Sequence, residues 1–108
     1  MAFPIHRMRR LRGNPATREM VRETRLCRSI LIEPFFVREK KGRDPVASMP
    51  GVFQLSVDDL VKECGISRDL GIRAVLLFGI PVEKDPVGSG GFASEGIVPK
   101  AVRALKCA

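Results

Sequence analysis

The side chains in this sequence that could drive a reaction are few, and their spacing scatters them. Its lysines are Lys40, Lys41, Lys62, Lys84, Lys100 and Lys106. A lysine forms an imine only when burial or a cationic neighbour pulls its pKa down from about 10.4. Lys84 falls just past a strand-like run, where the active site of a barrel or open sheet would lie, so it is the one lysine to follow. The others read as solvated surface. Cys27, Cys64 and Cys107 are far apart and odd in number, which argues against a disulfide framework or a zinc knuckle. They read as small buried hydrophobes in a reducing cytosol. The single histidine, His6, sits near the N-terminus with no cysteine to partner it, and there is no GxSxG. Ligands at metal-binding spacing are missing. Gly88-Ser89-Gly90-Gly91 invites a phosphate cradle, but Ser94-Glu95 and Pro99 intervene before the next helix. The stretch matches neither GxxxxGK[ST] nor a strand-to-helix GxGxxG and reads as a flexible loop after a strand. The residues thus assign no catalytic, cofactor-binding or metal site.

The elements that must position these groups read more clearly. The chain has 108 residues, 44% of them apolar and 29% charged. That suits one folded domain and is too apolar for a disordered one. A complete (βα)₈ barrel, at roughly 250 residues, does not fit. Asn14-Pro15 predicts a helix start and a short helix over about 15–24, too poor in apolar contacts to stand alone. Residues 30–37 form a near-continuous apolar and β-branched run, the pattern of a strand buried on both faces. Pro34 within it calls for a bulge or a sheet edge. A polar turn over 38–45 follows, then Pro50-Gly51 suited to a type II turn. Ser56 opens a helix with Asp59 as its capping-box partner. Val57, Leu60, Val61, Cys64 and, at the end, Arg68 share its stripe. Gly71 is its left-handed cap. Residues 74–80 form a second buried strand, 82–96 a long loop, and Ile97 onward a helix with Val98, Ala101, Val102 and Leu105 on one face. The order predicts an α/β fold with a right-handed parallel crossover. Two such strands alone leave open edges.

Charge is divided unevenly. Residues 1–43 hold 12 Lys+Arg against 4 Asp+Glu, whereas 44–108 hold 7 against 8, within an overall charge of +7. Residues 1–29 therefore read as a basic arm with a short helix, joined to a nearly neutral body over 30–108. Arg7-Met8-Arg9-Arg10-Leu11-Arg12 could neutralise phosphates, but no aromatic residue interleaves the arginines to stack bases. A protein surface rich in carboxylates suits arginine forks equally well, which makes nucleic acid the lesser partner. No apolar run approaches the ~20 residues of a membrane helix, and the N-terminus lacks the apolar core of a secretory signal. A cytoplasmic protein is expected.

Several stretches resemble the porphobilinogen synthase (5-aminolevulinate dehydratase) family. Arg9-Arg10-Leu11-Arg12, Asn14-Pro15 and Arg22-Glu23-Thr24-Arg25-Leu26 resemble its arm, and Pro34-Phe35-Phe36-Val37 its first strand. Ser48-Met49-Pro50-Gly51-Val52 with Leu55-Ser56-Val57-Asp58 is similar to its most recognisable early motif. Leu70 through Pro81 resembles the second strand, Lys84-Asp85 with Gly88-Ser89 the loop after it, and Ala101 through Lys106 the next helix. Gly65, Gly90-Gly91 and Pro99 depart from the family's pattern.

The resemblance implies an arm plus the first two βα units of a TIM (βα)₈ barrel. The family's enzyme is a lyase that condenses two 5-aminolevulinate molecules into porphobilinogen, with loss of water, in tetrapyrrole (heme) biosynthesis. It also implies a homo-oligomer, octameric or hexameric, joined through the arm. The family's two imine-forming lysines, its zinc-binding cysteine cluster or alternative magnesium sites, and its substrate-carboxylate ligands lie outside the matching stretches. No catalytic, cofactor or metal residue is carried over, and an N-terminal segment inactive by itself is expected. The alternatives are an interaction module docking through its arm on full-length subunits and, less favoured, a small basic nucleic-acid-binding protein.

Overall fold

A computed structural model of the chain describes residues 9–108. His6, Arg7 and Met8, named above, lie outside the described residues. From Arg9 the chain makes a 3₁₀ turn over Arg10–Arg12 and then helix α1, Pro15–Met20. The Asn14 side chain accepts from the Thr17 N–H at 2.8 Å, so the predicted cap forms. The helix stops at Met20 rather than running to residue 24. Leu11, Met20 and Leu26 are 59%, 81% and 84% exposed, and a helix with no surface to lie on does not propagate far.

The body begins with strand β1, Ile32–Arg38, after a second 3₁₀ turn at Arg28–Ile30. Two short strands follow, β2 (Arg43–Pro45) and β3 (Phe53–Leu55), and then helix α2 (Val57–Asp69) and strand β4 (Ala74–Ile80). A helical turn α3 (Ser89–Phe92) and helix α4 (Ile97–Cys107) complete the chain. The sheet order is β2-β3-β1-β4. β1 pairs in parallel with β4 from Ile32↔Ala74 to Arg38↔Ile80, and with β3 at Phe36↔Gln54 and Val37↔Leu55. β2 is antiparallel to β3. The sheet is therefore mixed, with two more strands than the sequence predicts, because three-residue strands are too short to show a period.

Local chemistry explains most of the joints. Pro34 keeps register with Leu76 and makes no bulge, and β3 pairs only from Phe36 onward, so Pro34 has the free flank that its missing N–H requires. The turn Met49–Val52 closes through the Val52 N–H to the Met49 carbonyl at 3.0 Å with Gly51 at φ 84°, the type II geometry. Ser56 caps α2 by accepting from the Asp59 N–H. The reciprocal half of the capping box is absent: the Ser56 N–H donates to the Gly42 carbonyl, and the Asp59 carboxylate accepts from the Ser56 hydroxyl at 2.8 Å. Gly71 (φ 94°) ends α2 in a Schellman motif, with Ile72 N–H to Ser67 carbonyl and Gly71 N–H to Arg68 carbonyl.

One face of the sheet carries the core. Val37, Leu55, Leu60, Ile97 and Ala101 are buried there, with Phe35, Phe53, Val57, Cys64, Leu77, Val98 and Leu105 packed around them. Side chains alternate along strands, so Pro34, Phe36, Gln54, Leu76 and Phe78 point the other way. The strands are not buried on both faces as expected: Ile32, Leu76 and Phe78 are 63%, 51% and 46% exposed. The Phe36 and Phe78 rings meet at 5.6 Å on this open face. On α2, Ser67 rather than Arg68 turns inward, bonding the Glu63 carbonyl at 3.0 Å. On α4, Val102 reaches only the margin of the core. None of the helices built from described residues is long and apolar enough to cross a membrane.

Candidate functional site

Parallel α/β sheets take ligands beyond the carboxyl ends of their strands, which here means the loops following Arg38, Leu55 and Ile80. Two cavities open on this rim. The larger, about 390 Å³, is bounded by Gly79, Pro81, Lys84, Asp85, Gly90 and Val98. Lys84 thus reaches the predicted place, yet its side chain is exposed, and the burial that an imine-forming lysine requires is missing. Its immediate neighbours are the acidic Glu83 and Asp85.

Within the glycine-rich segment lies the helical turn α3. Asp85 accepts from the Ser89 N–H at 2.8 Å and from the Ser89 hydroxyl, with Gly88 in the left-handed region at φ 66°. These bonds from Ser89 hold the Asp85 carboxyl below its ordinary range. A carboxylate therefore already takes the amide that a phosphate cradle would offer, and it would repel an incoming anion.

The cysteines do not all read as buried. Cys27 and Cys107 are exposed and Cys64 is half-buried. The Cys27 thiol is lowered, chiefly by its contact with Ser29 at 3.1 Å. Burial pushes the Cys64 thiol up, helped by the negative charges of Glu33 and Glu63. Among the described residues no group of three His, Cys, Asp or Glu could hold a metal ion.

Sequence reasoning passed over Arg38, which it placed in a polar turn. The structure makes it the last residue of β1 with its side chain 9% exposed, bonded through Nη1 to Asp44. The available signal was the alternation of Pro34, Phe36 and Arg38, which sends all three to one face. Arg43 lies 5.3 Å from the Phe53 ring centre and pairs with Glu63 at 2.5 Å, which ties β2 and β3 to α2.

A mixed sheet with helices on one face and its loops gathered beyond parallel strand ends defines an α/β protein. Residues 5–108 match the family described as "Delta-aminolevulinic acid dehydratase", and the chain belongs to that family. It is 48% identical over 109 residues to the Delta-aminolevulinic acid dehydratase of Methanothermobacter thermautotrophicus, covering 98% of this chain and 33% of that protein. It is 52% identical over 101 residues to that of Halalkalibacterium halodurans, covering 93% and 31%. Among solved structures it is similar to the Toxoplasma gondii enzyme in complex with the reaction product porphobilinogen, with a TM-score of 0.78 and 39% identity over 94% of this chain and 29% of that one. The chain spans about a third of the length of the relatives it matches.

Proposed function

We propose that this chain is an N-terminal segment of a porphobilinogen synthase, contributing the arm and the first two βα units of its TIM barrel. The complete enzyme would condense two 5-aminolevulinate molecules into porphobilinogen, with loss of water, in cytoplasmic tetrapyrrole synthesis. The observation that carries this reading is the open face of the sheet. Phe36, Leu76 and Phe78 lie where a closed barrel would have its interior, and among the described residues β4 has no strand on its outer side. A sheet with a bare apolar face and a free parallel edge needs further strands to cover both. The described residues supply scaffold. Lys84 is solvated, and among the described residues no three His, Cys, Asp or Glu come together as a metal site.

The segment alone is expected to be inactive. Purified chain given 5-aminolevulinate should form no porphobilinogen. Added to the remaining two thirds of the Methanothermobacter protein, it should restore turnover that neither piece shows alone. Turnover by the isolated chain at an ordinary enzyme rate, or no restoration in the mixture, would refute the proposal.

The arm supports a second reading, an oligomer joined through residues 1–29. Leu11, Met20 and Leu26 are exposed beside an excess of arginines, an apolar and basic strip suited to a neighbouring subunit. The tagged chain should co-purify with a full-length relative, and removal of residues 1–29 should abolish this. Equal capture with and without the arm would remove the second reading.

A further inference from the structure

The two edges of the sheet differ in what they offer a neighbour. β2 is three residues long, Arg43-Asp44-Pro45, and its two charges and proline are features that keep an edge from pairing. β4 is seven residues long, Ala74-Val75-Leu76-Leu77-Phe78-Gly79-Ile80, with no charge, proline or bulge. Successive residues of a strand direct their backbone N–H and C=O to opposite sides. One set on β4 bonds β1, and the other meets no partner among the described residues. Beside this edge an apolar groove of about 440 Å³ runs between β4 and α4. It is bounded by Val75, Leu77, Val98, Val102, Leu105 and, as its one charge, Lys106. On the other face of β4, Leu76 and Phe78 are exposed. The chain exposes 8972 Å² in all, whereas a compact monomer of this length exposes about 6,000 Å². The excess of roughly 3,000 Å², shared between the arm and this edge, is larger than the ~600–1,000 Å² that each partner gives to a stable dimer.

We propose that two copies of this chain pair β4 to β4, antiparallel, about a two-fold axis centred on Leu77. The proposal rests on the reading that this edge awaits further strands, and it names the occupant taken when those strands are not supplied. A two-fold normal to the sheet is self-complementary and keeps the helices of both copies on one face. Each α4 then lines the seam, with Val102 and Leu105 across from their equivalents and the two Lys106 side chains at opposite ends. On the bare face, Leu76 of one copy meets Phe78 of the other.

Sedimentation equilibrium of the 108-residue chain should show a dimer that dissociates on dilution. Leu76→Lys, at an exposed side chain, acts twice across the two-fold and should weaken the dimer by about tenfold or more. Hydrogen exchange of alternate β4 amides, those directed outward, should slow as concentration rises. The proposal is overturned if the chain is monomeric, if Leu76→Lys leaves association unchanged, or if those amides exchange at one rate at all concentrations. Loss of the dimer in Met20→Lys but not in Leu76→Lys would assign it to the arm and equally overturn the proposal. Adding the remaining two thirds of the Methanothermobacter protein should dissolve the dimer as its strands take the edge. A dimer that persists in that mixture would uphold this pairing and refute the segment reading, and a monomeric chain that restores turnover would do the reverse.

Discussion

At Gly79 the sheet and α4 approach too closely for a side chain, and Gly79→Ala measures how tightly they are locked. Gly79 pairs with Val37, a fully buried residue of β1, and faces the start of α4. A Cβ there would lie 2.6 Å from Val98 Cγ2 and 2.8 Å from Ile97 Cγ2. Both atoms belong to β-branched side chains held to few rotamers, so the helix must retreat. Ile97 and Ala101 are part of the core, and retreat would loosen them. Overpacking of this kind costs about 1–3 kcal/mol, against which removing a glycine from a strand returns about 0.5–1 kcal/mol. The net loss of roughly 1–2 kcal/mol corresponds to about a 5- to 30-fold change in the opening equilibrium. Hydrogen exchange of the α4 amides reads that equilibrium directly, without requiring cooperative unfolding of the whole chain. Exchange around Ala101 should accelerate by that factor, and adding Val98→Ala should recover part of it, because the two sites are in contact. Unchanged or slower exchange in Gly79→Ala would refute the packing argument.

Other substitutions probe the remaining joints. Gly65→Ala should stabilise α2 by about 0.5–1 kcal/mol in thermal or urea unfolding, since a Cβ there meets nothing within 4 Å and the helix interior disfavours glycine. Ser56→Ala should cost about 1 kcal/mol by removing the cap of α2. The Ser56 hydroxyl also holds the Asp59 carboxyl below its ordinary 3.8. A depressed carboxylate stabilises the fold above the unfolded value and loses that contribution as pH falls through the depressed one. Acid titration of Asp59 by carboxyl NMR should therefore move toward 3.8 in Ser56→Ala, with a smaller loss of stability between the two values. At mildly alkaline pH a maleimide should modify Cys27 well before Cys64, because Cys27 is exposed with a lowered thiol and Cys64 is half-buried with a raised one. Mass spectrometry of a brief labelling checks the order, and equal rates would contradict it.

Much of the scaffold was legible because its signals are local. Asn14, Ser56 and Gly71 mark helix ends through bonds within a few residues, and Pro50-Gly51 specifies its own turn. The apolar runs at 30–37 and 74–80 announce strands, and their parallel pairing follows from the helix between them. The short strands β2 and β3 were missed, since their pairing depends on Arg43 and Leu55 meeting across a hairpin. The helix α1 was overextended because its last residues lack any packing partner. The helical period points Arg68 to the inner stripe of α2, but Ser67 is buried there instead, because a serine can bond the carbonyl of the preceding turn.

The candidate site was less legible. Lys84 and the glycine-rich loop were found in the right place, at a strand's carboxyl end, but their surroundings were not readable. Asp85 and Ser89 satisfy each other there, and Lys84 remains in solvent. Arg38 looked like one more charge in a polar turn.

By itself the sequence determined the α/β class, the chain's basic leading segment, the caps and turns, and the family, because each rests on residue type or short-range spacing. Only the tertiary structure decided which strand face is covered and which is bare. It alone buried Arg38 with an unmet donor and set Gly79 against α4. Those outcomes depend on which surfaces meet across the fold, and no local pattern of residues encodes the distance between atoms brought together from separate elements.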